Sequence, residues 1–291
     1  MLYSMTGFGR AEQTVGDKTF LVEVRSLNSK QFDLRLTIPG ILKPYEIDVR
    51  SILNDYLERG SVECVITLKQ NGASKPVSIN TELIKAYYNP IAELAKELNI
   101  ATDNILSTIL KLPEVVTPTN EMLTEQDWEK FQTILKEALG HLMKHRQEEG
   151  KSMEADLQTR IKNIEAQQEI VASLEPARRV KIKEGLVKVL EDNVGKESYD
   201  PNRLEQELIY YIEKIDISEE QVRLKNHCNY FRDIIKQKEN SKGKKLSFIL
   251  QEIGREINTT GSKAYDSEVQ KAVVLMKDEL EKAKEQVLNV L

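Results

Sequence analysis

The sequence has little of what secreted and membrane proteins need. It contains only two cysteines, Cys64 and Cys228, which lie far apart in the chain. Two distant thiols give neither a disulfide framework nor a metal-ligand spacing, and they indicate a reducing compartment. No stretch approaches 18 apolar residues, and the first residues lack an apolar run followed by a cleavage site. These absences predict a cytoplasmic protein without a signal peptide or a membrane span.

An excess of positive charge is also missing. The formal net charge is −5, so the molecule as a whole is not a basic coat for nucleic acid. Any binding of a polyanion must therefore come from a local patch. The composition is otherwise that of an ordinary soluble protein, and 291 residues allow about two domains with a real core.

Motifs of common nucleotide and zinc sites are absent or incomplete. The segment GFGR at 7–10 has no phosphate-loop lysine and does not open a helix, so it is no nucleotide-binding motif. His141 and His145 have a spacing that can bind zinc, but no glutamate directly follows the first histidine and no third ligand is obvious. Surface or packing roles are the preferred interpretation of this pair.

The apolar pattern changes from strand-like to helical along the chain. Early segments alternate apolar and polar positions, as half-buried strands do. From about residue 81 the apolar residues recur at threes and fours. After a capping-box spacing at 124–127, we expect a long amphipathic helix or a helical pair interrupted near Gly150. The predicted fold class is α+β, with a mostly α-helical body after strands at 20–27, 32–38 and 61–70.

Charge is unevenly distributed along the helical body. Residues 191–220 contain ten acids and three bases, whereas residues 223–263 contain ten bases and four acids. A solvated helix face is the usual explanation of such a run. The alternative is that the basic stretch forms a local patch that binds a polyanion.

Acidic side chains and a histidine border the apolar stripes of three predicted helices. At 100° per residue they fall at the margin of the core, where a side chain is partly desolvated but still reachable by a ligand. The stretch Asn-Thr-Thr-Gly at 258–261 predicts a break in the third helix, which would let Lys263 turn toward a ligand. The bordering residues are Glu207, Glu220, His227, Glu252 and Glu256, with Arg223 on the same edge as Glu220.

Carboxylates and a histidine beside basic residues suit a divalent metal and a phosphate group. Oxygen ligands favour Mg²⁺ or Mn²⁺, and imidazole shifts the preference toward Mn²⁺ or Zn²⁺. Such a metal could activate water and neutralise charge as a phosphodiester is cut. The alternative is that Glu220–Arg223 and Glu252–Arg255 are ordinary intrahelical ion pairs. From spacing alone, both interpretations stay open.

Six motifs in this sequence resemble those of the bacterial YicC/YloC family. Their order and spacing cover essentially the full length of the chain. They are SMTGFGR (4–10), EVRSLNSK (23–30), RGSVEC (59–64), NRLEQEL (202–208), IDISEEQVRLKNH (215–227) and QEIGREINTTGSK (251–263).

The resemblance implies a cytoplasmic, metal-dependent endoribonuclease that assembles as a ring-like homo-oligomer, a hexamer. It also implies a YicC-like N-terminal domain at 1–155, β-rich over 1–75 and then helical. A helical C-terminal domain at 156–291 would carry the acidic and basic motifs.

The resemblance further implies two sets of site residues. Lys214, Val222 and Ser247 depart from the family pattern at positions where arginine, an acid and aspartate are expected. The implied catalytic and metal-binding residues are Glu207, Glu220, His227, Glu252 and Glu256. The implied RNA-binding residues are Arg10, Arg25, Asn28, Arg59, Arg223, Arg255, Asn258 and Lys263.

Three hypotheses follow for the function. The first is an endoribonuclease that uses Mn²⁺ or Mg²⁺ to cut single-stranded or loop RNA in RNA turnover. The second is a non-catalytic, oligomeric RNA-binding adaptor that delivers RNA to other decay enzymes. The third is that the charges at the helix edges form salt bridges between subunits and the function lies elsewhere.

Overall fold

The structure is a computed structural model of the chain. It describes residues 1–29, 31–57, 59–70, 77–99, 101, 103–118, 123–195, 200–239 and 241–291. Lys30 of the second motif and Lys196 and Glu197 of the acidic stretch lie outside the described residues. None of the helices in these ranges is both long and apolar enough to cross a membrane.

A four-stranded sheet forms the N-terminal part, as the alternating pattern predicts. The strands lie in the order β1-β2-β4-β3; β1–β2 and β2–β4 are antiparallel, whereas β3–β4 is parallel. Along β2, Phe20, Val22 and Val24 are buried while the residues between them are more exposed. One face of the sheet therefore packs on the core and the other remains open. The strands are β1 Gly7–Val15, β2 Lys18–Leu27, β3 Asp33–Thr37 and β4 Ser61–Gln70.

The remaining N-terminal elements are short. A 3-10 helix at Gly40–Tyr45 leads into α1. Strands β5 and β6 pair with each other, and α2 and α3 lie between them in the sequence. Their bounds are α1 Glu46–Tyr56, β5 Val77–Ile79, α2 Thr81–Glu97, α3 Ile105–Ile109 and β6 Val116–Pro118.

A single 70-residue helix, α4 (Glu125–Val194), is the spine of the molecule. The Thr124 side chain caps its start by accepting a hydrogen bond from the Asp127 N–H. The predicted interruption near Gly150 is wrong, because α4 continues through this residue. Gly150 instead marks a close approach: a Cβ there would lie 2.1 Å from the backbone oxygen of Leu2. The glycine makes room for another chain segment and does not end the helix.

After α4 the described residues form four shorter helices, and the last turn of α7 corrects a second prediction. The stretch at 258–261 does not break α7, which continues to Lys263. The hydroxyls of Thr259 and Thr260 donate to the carbonyls four residues earlier, at 3.0 and 2.8 Å. Because their hydroxyls are satisfied inside the helix, these threonines do not compete with it. The four helices are α5 Pro201–Lys214, α6 Ser218–Lys236, α7 Gly243–Lys263 and α8 Ser267–Val287.

Two hydrophobic cores lie along α4. The first half of α4 packs on the sheet, with Phe131 and Leu142 among the buried residues. Farther along α4, Leu157 and Ile161 belong to the core that α4 forms with α6 and α8, and α7 residues share this core. The α+β fold class is thereby confirmed. The proposed boundary between residues 155 and 156 falls inside α4 and stays a prediction.

Candidate functional site

The polar edges of α6 and α7 meet along one line, which we call the α6–α7 seam. Behind it, buried residues such as Leu224 and Phe231 of α6 share a core with Leu250 and Ile253 of α7. The two helices run in opposite directions, since Glu220 near the start of α6 contacts Lys263 at the end of α7. The seam consists of Glu220, Arg223 and His227 from α6 and Glu252, Glu256, Thr259 and Lys263 from α7.

Glu220 and Lys263 form an ion pair at one end of the seam. The Lys263 Nζ donates to Glu220 Oε1 at 2.7 Å and to the Asp216 carbonyl at 3.0 Å. Glu220 is only 6% exposed, and its second oxygen, Oε2, is buried and has no hydrogen-bond partner among the described residues. A buried polar atom without a partner costs free energy in the folded protein. This oxygen therefore keeps an unused capacity to accept a hydrogen bond or to bind a cation.

Glu256 lies farther along the same seam. It is 4% exposed, and its carboxylate has no hydrogen bond or ion pair among the residues that the structure describes. Seven residues separate it from Lys263, which is about 10 Å along a helix. On α6, His227 lies seven residues after Glu220, and it is half-buried. The antiparallel arrangement thus brings His227 level with Glu256, with Glu220 about two turns away.

The other two predicted acidic residues are placed differently. Glu252 borders the seam but is 48% exposed, and its nearest cation is the Arg255 guanidinium at 4.0 Å. Glu207 is exposed on α5, whose packing partner is α4. Helix geometry therefore places Glu220, His227 and Glu256 along the seam, with Glu252 at its edge, and Glu207 lies outside it.

The five acidic and histidine residues do not converge on one point within a chain. In the described parts of the chain, no three His, Cys, Asp or Glu side chains lie close enough together to hold a metal ion. His141 and His145, the pair with zinc spacing, are included in that finding. The Nδ1 of His141 instead lies 2.7 Å from the Arg10 carbonyl oxygen. Any metal in the seam would take one or two protein carboxylates and complete its coordination elsewhere.

The predicted RNA-binding residues of the C-terminal half lie along the seam or beside it. Arg223 forms an ion pair with Glu219 on the exposed side of α6. Arg255 and Asn258 are exposed on α7, whereas Lys263 is held by its two hydrogen bonds. Arg223, Arg255 and Asn258 are therefore within reach of a bound strand.

The predicted RNA-binding residues of the N-terminal half fall into two groups. Asn28 Nδ2 donates to the Leu288 carbonyl at 2.7 Å, and Arg59 Nε donates to the Ser29 carbonyl at 3.0 Å. Both side chains thus join chain segments to each other. Arg10 and Arg25 instead lie on the open face of the sheet, where Arg10 pairs with Glu12 at 3.0 Å.

The three departures from the family pattern lie in the helical part. Lys214 at the end of α5 and Val222 on α6 are exposed, and Ser247 on α7 is half-buried. Val222 lines a cavity of about 380 Å³ between α4 and α6.

Two buried arginines that support the structure were missed in the sequence. Arg178 of α4 donates to the carbonyls of Lys263, Ala264 and Ile215, so it fixes the end of α7 beside the seam. Its position seven residues after the buried Val171 places it on the apolar stripe of α4, which is the signal that could have identified it. Arg146 is buried beside Met5 and Ser26, and burial lowers its pKa.

Asp216 completes the electrostatics at the Lys263 end. Burial by itself would raise the pKa of its carboxyl group. Hydrogen bonds from the Ser218 N–H and hydroxyl, together with the Arg179 charge, outweigh burial and hold the pKa below its usual value. The residue next to the seam is therefore a stable anion whose backbone carbonyl also accepts from Lys263.

The fold and the seam define an α+β protein with an N-terminal sheet, a long helical spine and a charged seam between two C-terminal helices. The chain belongs to the YicC-like endoribonuclease family. The family model described as "Endoribonuclease YicC-like, N-terminal region" matches residues 2–155, and the model described as "Endoribonuclease YicC-like, C-terminal" matches residues 170–291. The resemblance in the six motifs is thereby confirmed.

Two curated relatives match the chain from end to end. "Probable endoribonuclease YicC" of Clostridioides difficile (strain 630) is 33% identical over 298 residues, covering all of both chains. "Probable endoribonuclease YicC" of Haemophilus influenzae (strain ATCC 51907 / DSM 11121 / KW20 / Rd) is 30% identical over 297 residues, also covering all of both.

Proposed function

We propose that this protein is a metal-dependent endoribonuclease that cuts single-stranded or loop regions of RNA and acts in RNA turnover. Family membership and the names of the relatives support the activity class. The observation that carries the choice of site is the buried Oε2 of Glu220, which has no hydrogen-bond partner within the described parts of the chain and lies beside the Lys263 ammonium. An unused acceptor and a fixed cation in one seam match the needs of phosphodiester cleavage.

The seam residues divide the work by their chemistry. Arg223 and Arg255 bind phosphates of the strand, since a guanidinium can donate two parallel hydrogen bonds to a phosphate. The Lys263 ammonium offsets negative charge near the scissile phosphate. Glu256 or His227 serves as the general base that takes the proton of the attacking water.

Mn²⁺ or Mg²⁺ is part of the proposal. Either Glu220 or Glu256 would hold the ion, because the two lie about 10 Å apart along the seam. Glu207, His227 and Glu252 are the other ligands predicted from the sequence, and Glu207 lies outside the seam. Mg²⁺ typically binds one or two protein carboxylates together with substrate phosphates and water, and a single seam carboxylate fits that mode. When bound, the ion would lower the pKa of a water molecule and neutralise phosphate charge.

Assembly and location complete this proposal. We expect a homo-oligomer, a hexamer, in the cytoplasm. Exposed apolar residues on α2, including Ile91 and Leu94, support assembly because such a stripe is normally covered. The two cysteines are free and buried, which fits a reducing compartment.

A non-catalytic RNA-binding adaptor that delivers RNA to other decay enzymes is the second candidate. One observation favours it: the described residues of a single chain gather no three metal-ligating side chains. An adaptor would bind RNA in a salt-dependent manner that a chelator does not affect.

The test is cleavage of a labelled stem-loop RNA by the purified protein with Mn²⁺, with Mg²⁺ and with EDTA, alongside Glu252→Gln. The proposal predicts loop cuts that need metal and that disappear in Glu252→Gln while RNA affinity stays nearly intact. Tight binding with no cut under any condition would favour the adaptor. Cleavage by the variant at the wild-type rate would remove Glu252 from the mechanism.

A further inference from the structure

The open face of the N-terminal sheet carries a pocket away from the α6–α7 seam. Alternate residues of the strands are exposed there, among them Phe8 of β1 and Leu27 of β2. Near one end of the sheet a depression of about 330 Å³ lies across β2, β4 and β3. We call it the outer-face pocket; it is lined by Arg25, Leu27, Asp33, Arg35, Ser61, Val62 and Glu63.

Strand register places a carboxylate between two arginines in this pocket. Glu63 of β4 is directly opposite Arg25 of β2 and also directly opposite Arg35 of β3. Residues directly opposite each other project from the same face of a sheet, with Cβ atoms about 5 Å apart. The pocket therefore presents two guanidinium groups on either side of one carboxylate.

The two guanidinium groups are available to a ligand. Among the described residues, no carboxylate forms an ion pair with Arg25 or Arg35. The Arg25 guanidinium instead lies over the Phe8 ring, 5.6 Å from its centroid. Arg10 on the same face is different, because Glu12 neutralises it at 3.0 Å.

We propose that the outer-face pocket binds one nucleotide of an unpaired RNA strand. The Arg35 guanidinium suits a phosphate, and the Arg25 guanidinium over the exposed Phe8 ring gives a flat surface on which a base can stack. Glu63 accepts a hydrogen bond from a ribose hydroxyl or a base amino group. The volume lies at the lower end of the range for small-molecule pockets, which fits one nucleotide and not a duplex. The choice of RNA as ligand rests on the proposed function.

The test measures RNA binding in EDTA, so that cleavage does not interfere. The probe is a fluorescein-labelled single-stranded RNA of about eight nucleotides, a typical site size for such surfaces. Arg35→Gln is expected to weaken binding about tenfold and to reduce the slope of log affinity against log salt by about 0.7, the loss of one phosphate contact. Phe8→Leu is expected to weaken binding with little change in the salt slope, because it removes stacking and no charge.

Lys69→Gln is the matched control. Lys69 is an exposed cation on β4, six residues from Glu63 and thus about 20 Å along the strand. The Lys69→Gln variant should bind RNA with an affinity within about twofold of the wild type. Melting temperature and molecular mass in solution are measured for every variant.

The outcomes separate this proposal from the proposed function. Unchanged RNA affinity and salt slope in Arg35→Gln would contradict the proposal that the outer-face pocket binds RNA, even if the wild type cuts RNA. A change in mass without a change in RNA affinity would also overturn it and would identify the face as a contact between protein chains. Loss of RNA binding in Arg35→Gln with no cleavage by the wild type would support the outer-face pocket as an RNA site and contradict the proposed nuclease activity.

Discussion

At the scale of single residues, the seam depends on charges that are buried with few partners. Glu220 is held on one oxygen by Lys263, and Lys263 in turn bonds to the Asp216 carbonyl. Removing one member of a buried ion pair leaves the other charge uncompensated, which costs more than removing both. The Lys263 side chain is 31% exposed, so solvent reduces the effect.

Lys263→Met should therefore lower the free energy of unfolding by about 2 kcal/mol, because Glu220 is left buried without its cation. The double variant Glu220→Gln/Lys263→Met should recover part of that loss. Urea unfolding followed by circular dichroism measures both. Two results would contradict this account of the pair. One is a Lys263→Met variant as stable as the wild type; the other is a double variant that recovers none of the stability lost in Lys263→Met.

At the scale of elements, α4 and α7 show why local signals misled the prediction. Glycine and adjacent threonines usually lower helix stability, and both were interpreted as breaks. In the structure, Gly150 accommodates Leu2, and Gly261 lets α8 approach, since a Cβ there would lie 3.0 Å from Val273 Cγ1. Tertiary contacts thus decide the role of these residues.

Glycines of α4 offer a test in which two effects have opposite signs. In an exposed helix interior, Gly→Ala stabilises by up to about 1 kcal/mol. Gly140→Ala and Gly185→Ala should follow this rule, because a Cβ at either position meets nothing within 4 Å. Gly150→Ala should destabilise, because its Cβ would lie 2.1 Å from the Leu2 oxygen. Thermal unfolding of the three variants measures these effects. A rise in melting temperature for Gly150→Ala would contradict the close approach between Gly150 and the Leu2 backbone.

At the scale of the whole molecule, the first residues connect the two cores that share α4. The Ser4 N–H donates to the Arg146 carbonyl of α4 at 3.0 Å, and the Met5 N–H donates to the Asn289 carbonyl at 2.8 Å. The Leu291 N–H in turn donates to the Tyr3 carbonyl at 2.9 Å. Residues 3–5 therefore lie between the spine and the C-terminal segment, beside both cores.

Much of this architecture follows from the sequence, but only where the signal is local. Alternation predicted β2, β3 and β4, and apolar periodicity predicted a helical body, because both patterns reflect which side of an element faces a core. Helical geometry also predicts Glu220, His227 and Glu256 at core margins; the structure leaves His227 half-buried but buries Glu220 and Glu256.

Features that depend on distant contacts could not be predicted in the same way. The exposure of Glu207 on α5 and the burial of Arg178 both depend on how helices pack, which periodicity within one helix does not determine. The outer-face pocket needs three strands in register, and β3 joins the sheet by a parallel pairing that no hairpin signal announces.

The central claim, that the α6–α7 seam carries out cleavage, is tested most directly by comparing Glu256→Gln with Glu285→Gln, an exposed carboxylate on α8. In the presence of Mn²⁺, Glu256→Gln should cut RNA at least about 100-fold more slowly than the wild type, the usual cost of losing a general base. Its RNA affinity should change little, and Glu285→Gln should cut normally. A folded Glu256→Gln variant that cuts at the wild-type rate would contradict the claim.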